Sequence, residues 1–153
     1  VSTFKEMLRK VRSEIREVSV DEAPAQPDAL FLDVREADEW AKGHVPGAVF
    51  IPRGFLELRV EQEAPDKARP VVVYCAGGTR SALAARALQD LGYHDVVSLA
   101  GGFTRWRESG RPVAVPRVLS EQQRDRYSRH LKVPEIGEAG QARLLESKVL
   151  LVG

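Results

Sequence analysis

The chain has 153 residues, 43% hydrophobic and 29% charged, with a formal net charge of +1. That length suits one domain, or one domain and part of another, with a core that needs no disulfide or metal to hold it. Near-neutral charge, an aromatic content of only 7% and the lack of a long basic run argue against nucleic acid or an anionic membrane as a partner, and no apolar run reaches the length of a bilayer span.

The first element is an N-terminal helical segment, residues 2–17. Thr3 and Glu6 have capping-box spacing, and Phe4, Met7, Leu8, Val11 and Ile15 share one stripe, as in a helix packed on its own domain. The opening "VSTFKEMLRKVRSE" is too charged for a secretory signal. Short apolar runs follow: "EVSV" (17–20), "ALFLDV" (29–34), "AVFI" (48–51), "PVVVYC" (70–75) and "DVVSLA" (95–100) all read as strands. Several are apolar on consecutive positions, the pattern of strands covered on both faces in a parallel sheet. Between them lie helical stretches: "EADEWAKG" (36–43), closed by Gly43; "FLELRVEQ" (55–62); "SALAARALQDLG" (81–92), with Leu83, Ala84, Ala87, Leu88 and Leu91 on one face and Gly92 past its end; and "GFTRWRES" (102–109), closed by Gly110. This alternation predicts an open α/β fold, a mainly parallel five-stranded sheet with helices on both faces. Ligands of such sheets bind beyond the carboxyl ends of the strands. Trp40 and Trp106 are expected in the core, His44 in a structural turn and His94 on a surface loop.

Cys75, the only cysteine, stands at one of those carboxyl ends. It cannot form an internal disulfide, which fits a reducing compartment and predicts a cytoplasmic protein. The segment after it, "CAGGTRS", must turn from strand to helix within a few residues. Gly77 and Gly78 permit the positive φ angles of such a turn. Successive amides can then converge on the sulfur at a helix N-terminus, which favours a thiolate. Arg80 adds a fixed charge and a forked donor suited to an oxyanion. The pocket therefore suits a sulfur nucleophile acting on an anionic substrate. Cysteine phosphatases enclose a phosphoryl group with five residues between Cys and Arg and carry His before the Cys. Here four residues intervene and Tyr74 precedes the cysteine, so the smaller bowl favours sulfur transfer over phosphate-ester hydrolysis.

Three motifs, "LDVREADEWAKGHVPGAVFIP" (32–52), "VVYCAGGTRSALAARAL" (72–88) and "LAGGFTRWRESGRPV" (99–113), resemble the rhodanese-type sulfurtransferases. The resemblance implies a rhodanese-like fold over residues 1–116 and a catalytic Cys75 that carries sulfur as a persulfide. Ala76, Gly77, Gly78, Thr79, Arg80 and Ser81 would bind the substrate, with Asp33 and Arg35 as weaker candidates better read as a structural ion pair. The donor would be thiosulfate or a protein persulfide. The alternative is a docking module that turns over no sulfur.

"GRPVAVPRV" (110–118) reads as a linker. Residues 117–153 then start afresh as a helical C-terminal fragment, with Ser120 and Gln123 in capping-box spacing, two helices and a strand. "RYSRHL" (126–131), "PEIGEAGQARL" (134–144) and "KVLLVG" (148–153) resemble the opening of the adenylyltransferases that activate ubiquitin-like sulfur carriers. That resemblance implies that Arg129 reaches ATP across a homodimer. It also implies that ATP and zinc belong to the complete adenylyltransferase domain, beyond Gly153; no metal or cofactor is expected in this chain. The pairing of the two resemblances implies a ubiquitin-like carrier protein as partner, in molybdopterin or related thio-cofactor synthesis.

Overall fold

The computed structural model describes residues 3–23, 28–116, 121–133 and 137–147. The chain divides into two compact units, Val1–Val115 and Pro116–Gly153.

In the first unit, helix α1 (Phe4–Glu14) opens with the expected capping box: Thr3 Oγ1 accepts from the Glu6 amide and Glu6 Oε2 accepts from the Thr3 amide. Five parallel strands follow: β1 (Arg16–Val18), β2 (Leu30–Asp33), β3 (Val49–Phe50), β4 (Val71–Tyr74) and β5 (Val96–Leu99). Their order across the sheet is β1-β5-β4-β2-β3, so the three most apolar strands lie inside. Every pairing is parallel, and the sheet is all-parallel where sequence suggested mainly parallel. The connecting helices are α2 (Ala37–Ala41), α3 (Leu56–Glu63), α4 (Thr79–Asp90) and α5 (Gly102–Glu108).

Two cores flank the sheet, and the side-chain alternation along β4 separates them. Val71, Val73 and Cys75 point into a core shared with Leu56 and Val60 of α3 and Ala84, Ala85 and Leu88 of α4. Val72 and Tyr74 point the other way, against Phe103 and Trp106 of α5. The sulfur therefore faces α4. On α4 the fully buried stripe is Ser81, Ala82, Ala84, Ala85 and Leu88, with Leu83, Ala87 and Leu91 only half-buried. The small residues let the helix lie close to the sheet and displace the expected stripe by about one position. Its end is closed as expected: the Gly92 amide donates to Gln89 and the Tyr93 amide to Leu88.

Two expectations need correction. Trp40 is half-buried, stacked on His44 with ring centroids 3.5 Å apart and on Phe50 at 4.9 Å, because α2 is too short to cover it. Trp106 is buried as expected and donates through Nε1 to the Pro112 carbonyl at 2.8 Å. In α1, Leu8, Val11 and Ile15 are half-buried while Phe4 and Met7 stay exposed, so only the later part of the stripe is covered. His44 is held by backbone pairing with Ala114 at 2.8 and 2.9 Å, a structural turn as expected, and burial lowers its pKa. His94 is exposed.

The second unit contains α6 (Glu121–Arg126), a short 3-10 turn (His130–Lys132) and α7 (Gly137–Glu146). His130 Nδ1 lies 2.9 Å from Gln141 Oε1. Arg129 is exposed. The expected strand at 148–153 and Ser120 of the second capping pair lie outside the described residues. No helix among the described residues is long and apolar enough to cross a membrane.

Candidate functional site

Strand β4 ends at Tyr74, and α4 starts only four residues after Cys75. Gly78 makes this possible: it caps α4 with φ of 102°, a backbone region costly for any residue with a Cβ. Gly77 does not take a positive φ, so one glycine bears the turn where two were expected. Gly77 instead has open space on the side where a Cβ would stand.

The Gly78 amide donates to Cys75 Sγ at 3.1 Å. The thiol in turn reaches Ser81 Oγ at 3.6 Å, and Ser98 Oγ donates to that same hydroxyl at 2.9 Å. The expected ring of amides is therefore, among the described residues, one amide and one hydroxyl. A hydroxyl serves both protonation states: Ser81 accepts from the thiol and, by rotating, donates to a thiolate. Cys75 is only 1% exposed. The Cys75 and Ala76 carbonyls point into the first turn of α5, accepting from the Phe103 amide at 2.7 Å and the Thr104 amide at 3.1 Å. Gly102 makes that contact possible: a Cβ there would stand 2.3 Å from the Cys75 carbonyl oxygen.

Arg80 does not project freely into the pocket. Its guanidinium forms a double hydrogen bond to Glu39 of α2, at 2.6 and 2.8 Å, with Glu36 at 3.9 Å. This pairing raises the Arg80 pKa further and holds the Glu39 carboxyl down at about 2. The guanidinium expected to meet an oxyanion here meets the Glu39 carboxylate. Thr79 is exposed at the first turn of α4, and Ala76 is half-buried.

Asp33 and Arg35 are both buried. Arg35 donates through Nε and Nη2 to the Asp33 carboxylate at 2.6–3.0 Å and through Nη2 to the Gly43 carbonyl at 2.7 Å. Its guanidinium also lies 4.1 Å from the Phe103 ring centroid. The pair fixes the β2–α2 connection, and Arg35 also lines a small cavity beside the loop. Tyr74, in the position where phosphatases carry His, is buried on the opposite sheet face and accepts from the Val45 amide at 3.1 Å. Burial raises its pKa well above the ordinary phenol range.

A cavity of about 160 Å³ lies beside the loop, against Ala76, Thr104, Lys42 and Arg107. A larger concavity, about 620 Å³, runs along Val20, Ala100, Gly101 and Arg105 without touching Cys75. Chemistry, not size, selects the loop as the candidate site. Sequence reasoning missed Ser98 and Glu39. A lone serine inside "VVSL" was a usable signal for the first; nothing in "EADEW" marked Glu39 as the partner of Arg80.

A family model described as a rhodanese-like domain matches residues 18–109, more than half of the chain. A sulfurtransferase of Allochromatium vinosum is 36% identical over 89 residues, covering 58% of this chain and 81% of that protein. A thiosulfate sulfurtransferase of Coxiella burnetii is 35% identical over 80 residues, covering 52% of this chain and 73% of that protein. Among solved structures, a protein from Rhodopseudomonas palustris, described as of unknown function and a possible tyrosine phosphatase, superposes with a TM-score of 0.68 at 33% identity. That match covers 74% of this chain and 96% of the other.

Proposed function

This chain belongs to the rhodanese-like domain family, and on that premise we propose that it is a sulfurtransferase in which Cys75 carries sulfane sulfur as a persulfide. The single observation that carries the reading is the Gly78 amide aimed at Sγ from 3.1 Å, with Ser81 ready to donate from the other side. With thiosulfate, the Cys75 thiolate attacks the outer sulfur; a new S–S bond forms, the donor's S–S bond breaks, and sulfite leaves with the bonding electron pair. A nucleophilic acceptor then attacks the outer persulfide sulfur, and Cys75 departs as the thiolate. Thiosulfate suits the name of the Coxiella relative. A protein-bound persulfide suits a neutral loop whose arginine is already paired.

The finer reading assigns residues 1–116 to sulfur transfer and residues 117–153 to the start of an adenylyltransferase domain. Its acceptor would be a ubiquitin-like carrier protein in molybdopterin or related thio-cofactor synthesis. It rests on the motifs at 126–131, 134–144 and 148–153, and in it Arg129, which is exposed, would meet a nucleotide across a dimer. No group of three metal-ligating side chains occurs among the described residues, and no step is assigned to a metal.

Formation of thiocyanate from thiosulfate and cyanide tests the activity: the parent chain produces it and Cys75→Ser does not. Equal rates for both would refute the proposal. The burial of Cys75 favours a second reading, a docking module that binds a carrier without sulfur turnover. It predicts carrier binding by both forms and thiocyanate from neither. Aryl-phosphate hydrolysis lost in Cys75→Ser would restore the phosphatase reading.

A further inference from the structure

The loop from Ala76 to Thr79 carries no charge, and the charges around it are already matched. Arg80 is bound to Glu39. Arg35 is bound to Asp33. On α5, Arg105 pairs with Glu108 at 3.6 Å, and just past the end of α2 Lys42 pairs with Asp38 at 3.2 Å. Arg107 lines the small cavity beside Ala76 with Phe103, against the sheet face opposite the one that Cys75 Sγ enters. Arg80 is, among the charges just named, the one coupled electrostatically to Cys75, and a thiolate there shares it with Glu39.

We propose that Arg12, on α1, is a positioning residue that supplies a second cation near the loop and favours the Cys75 thiolate and the anionic persulfide. Its Nη2 lies 3.8 Å from the point where a Cβ on Gly78 would stand, and Gly78 is the residue whose amide holds the sulfur. Bond geometry then places the guanidinium within about 10 Å of Sγ, about the screening distance at 0.1 M salt. Among the described residues its counter-charge in contact is Glu17 of β1, 3.8 Å from Nε, the two side chains being 43% and 32% exposed. The helix that carries it is docked where it must be: Ile15 packs on the core and Glu14 binds Arg86 of α4 at 3.1 Å.

The proposal rests on Cys75 being the reactive sulfur, so its test reads the thiolate and not sulfur transfer. The rate of Cys75 alkylation by iodoacetamide is followed from about pH 5 to about pH 10 in the full chain. In Arg12→Gln the midpoint rises by about half a pH unit, slowing the reaction about threefold below it. Arg12→Lys restores the parent profile. Glu17→Gln moves the midpoint the other way and decides the matter if Arg12→Gln fails to fold. The rate with anionic iodoacetate falls further than the rate with neutral iodoacetamide in Arg12→Gln. Coincident profiles for parent and Arg12→Gln, or an Arg12→Lys profile that follows Arg12→Gln, would overturn the proposal. A chain that alkylates with these shifts yet never takes up sulfur would overturn the sulfurtransferase reading alone.

Discussion

Replacing Gly102 with Ala should both destabilise the first unit and disturb the sulfur loop. Gly102 has φ of +56°, and a Cβ there would stand 2.3 Å from the Cys75 carbonyl oxygen, 2.6 Å from the Ala76 carbonyl oxygen and 2.8 Å from the Ala76 carbonyl carbon. All three are backbone atoms, so no side chain can rotate away. The left-handed conformation costs an alanine roughly 1–2 kcal/mol. Relieving the overlap requires the first turn of α5 to part from the loop, weakening the Phe103–Cys75 and Thr104–Ala76 bonds, each worth about 1 kcal/mol. The total is about 3–4 kcal/mol, a fall in melting temperature on the order of 15–20 °C for a domain of this size. Both tryptophans, Trp40 and Trp106, lie in the first unit, so their fluorescence during urea unfolding reports this unit. Gly77→Ala is the control. It lies in the same loop, its φ is not left-handed and its Cβ would meet nothing within 4 Å, so stability should change by no more than about 0.5 kcal/mol. If Gly102→Ala unfolds at the parent's urea concentration, the close approach of α5 to the loop is not as described.

Breaking the buried pair by Arg35→Met strands the Asp33 carboxylate in the interior and should cost about 3–5 kcal/mol in chemical denaturation. Asp33→Leu combined with Arg35→Met should cost less than the single change; a cost equal to the sum of both singles would argue against the pairing. Glu39→Gln should lower stability by about 1 kcal/mol near neutral pH. The folded pKa of Glu39, about 2, lies below its ordinary value of 4.5. Its contribution is therefore present above that ordinary value and lost as pH falls toward 2. Unfolding curves of parent and variant should converge in acid, and a gap independent of pH would contradict the Arg80 pairing. Ser81→Ala removes the only hydroxyl at Sγ among the described residues and strands the buried Ser98 hydroxyl, so it should slow Cys75 alkylation several-fold and cost about 1–3 kcal/mol of stability. An unchanged rate would show that the amide alone suffices.

Much of the fold was legible because the strands announce themselves. "PVVVYC" and "DVVSLA" are apolar on consecutive positions, and only a sheet covered on both faces makes use of that. The strand–turn–helix at Cys75 was legible for the same reason, since an apolar strand cannot become a helix within so few residues without a glycine such as Gly78. Contacts made by residues far apart in the chain were not legible. The Arg80–Glu39 bond joins positions 41 residues apart, and a charge has no periodicity that names its partner. Gly102 read as a helix start, yet its packing on the Cys75 carbonyl depends on how β4 and β5 lie side by side. The burial of Trp40 failed as an expectation because a helix as short as α2 covers little of a neighbouring ring.

The most direct test is the intact mass of the chain after incubation with thiosulfate or a protein-bound persulfide, followed by peptide mapping. One added sulfur atom on Cys75, removed by a thiol reductant and never seen in Cys75→Ser, is the predicted result. An unchanged mass with both kinds of donor, in a chain whose Cys75 still alkylates, would contradict the account.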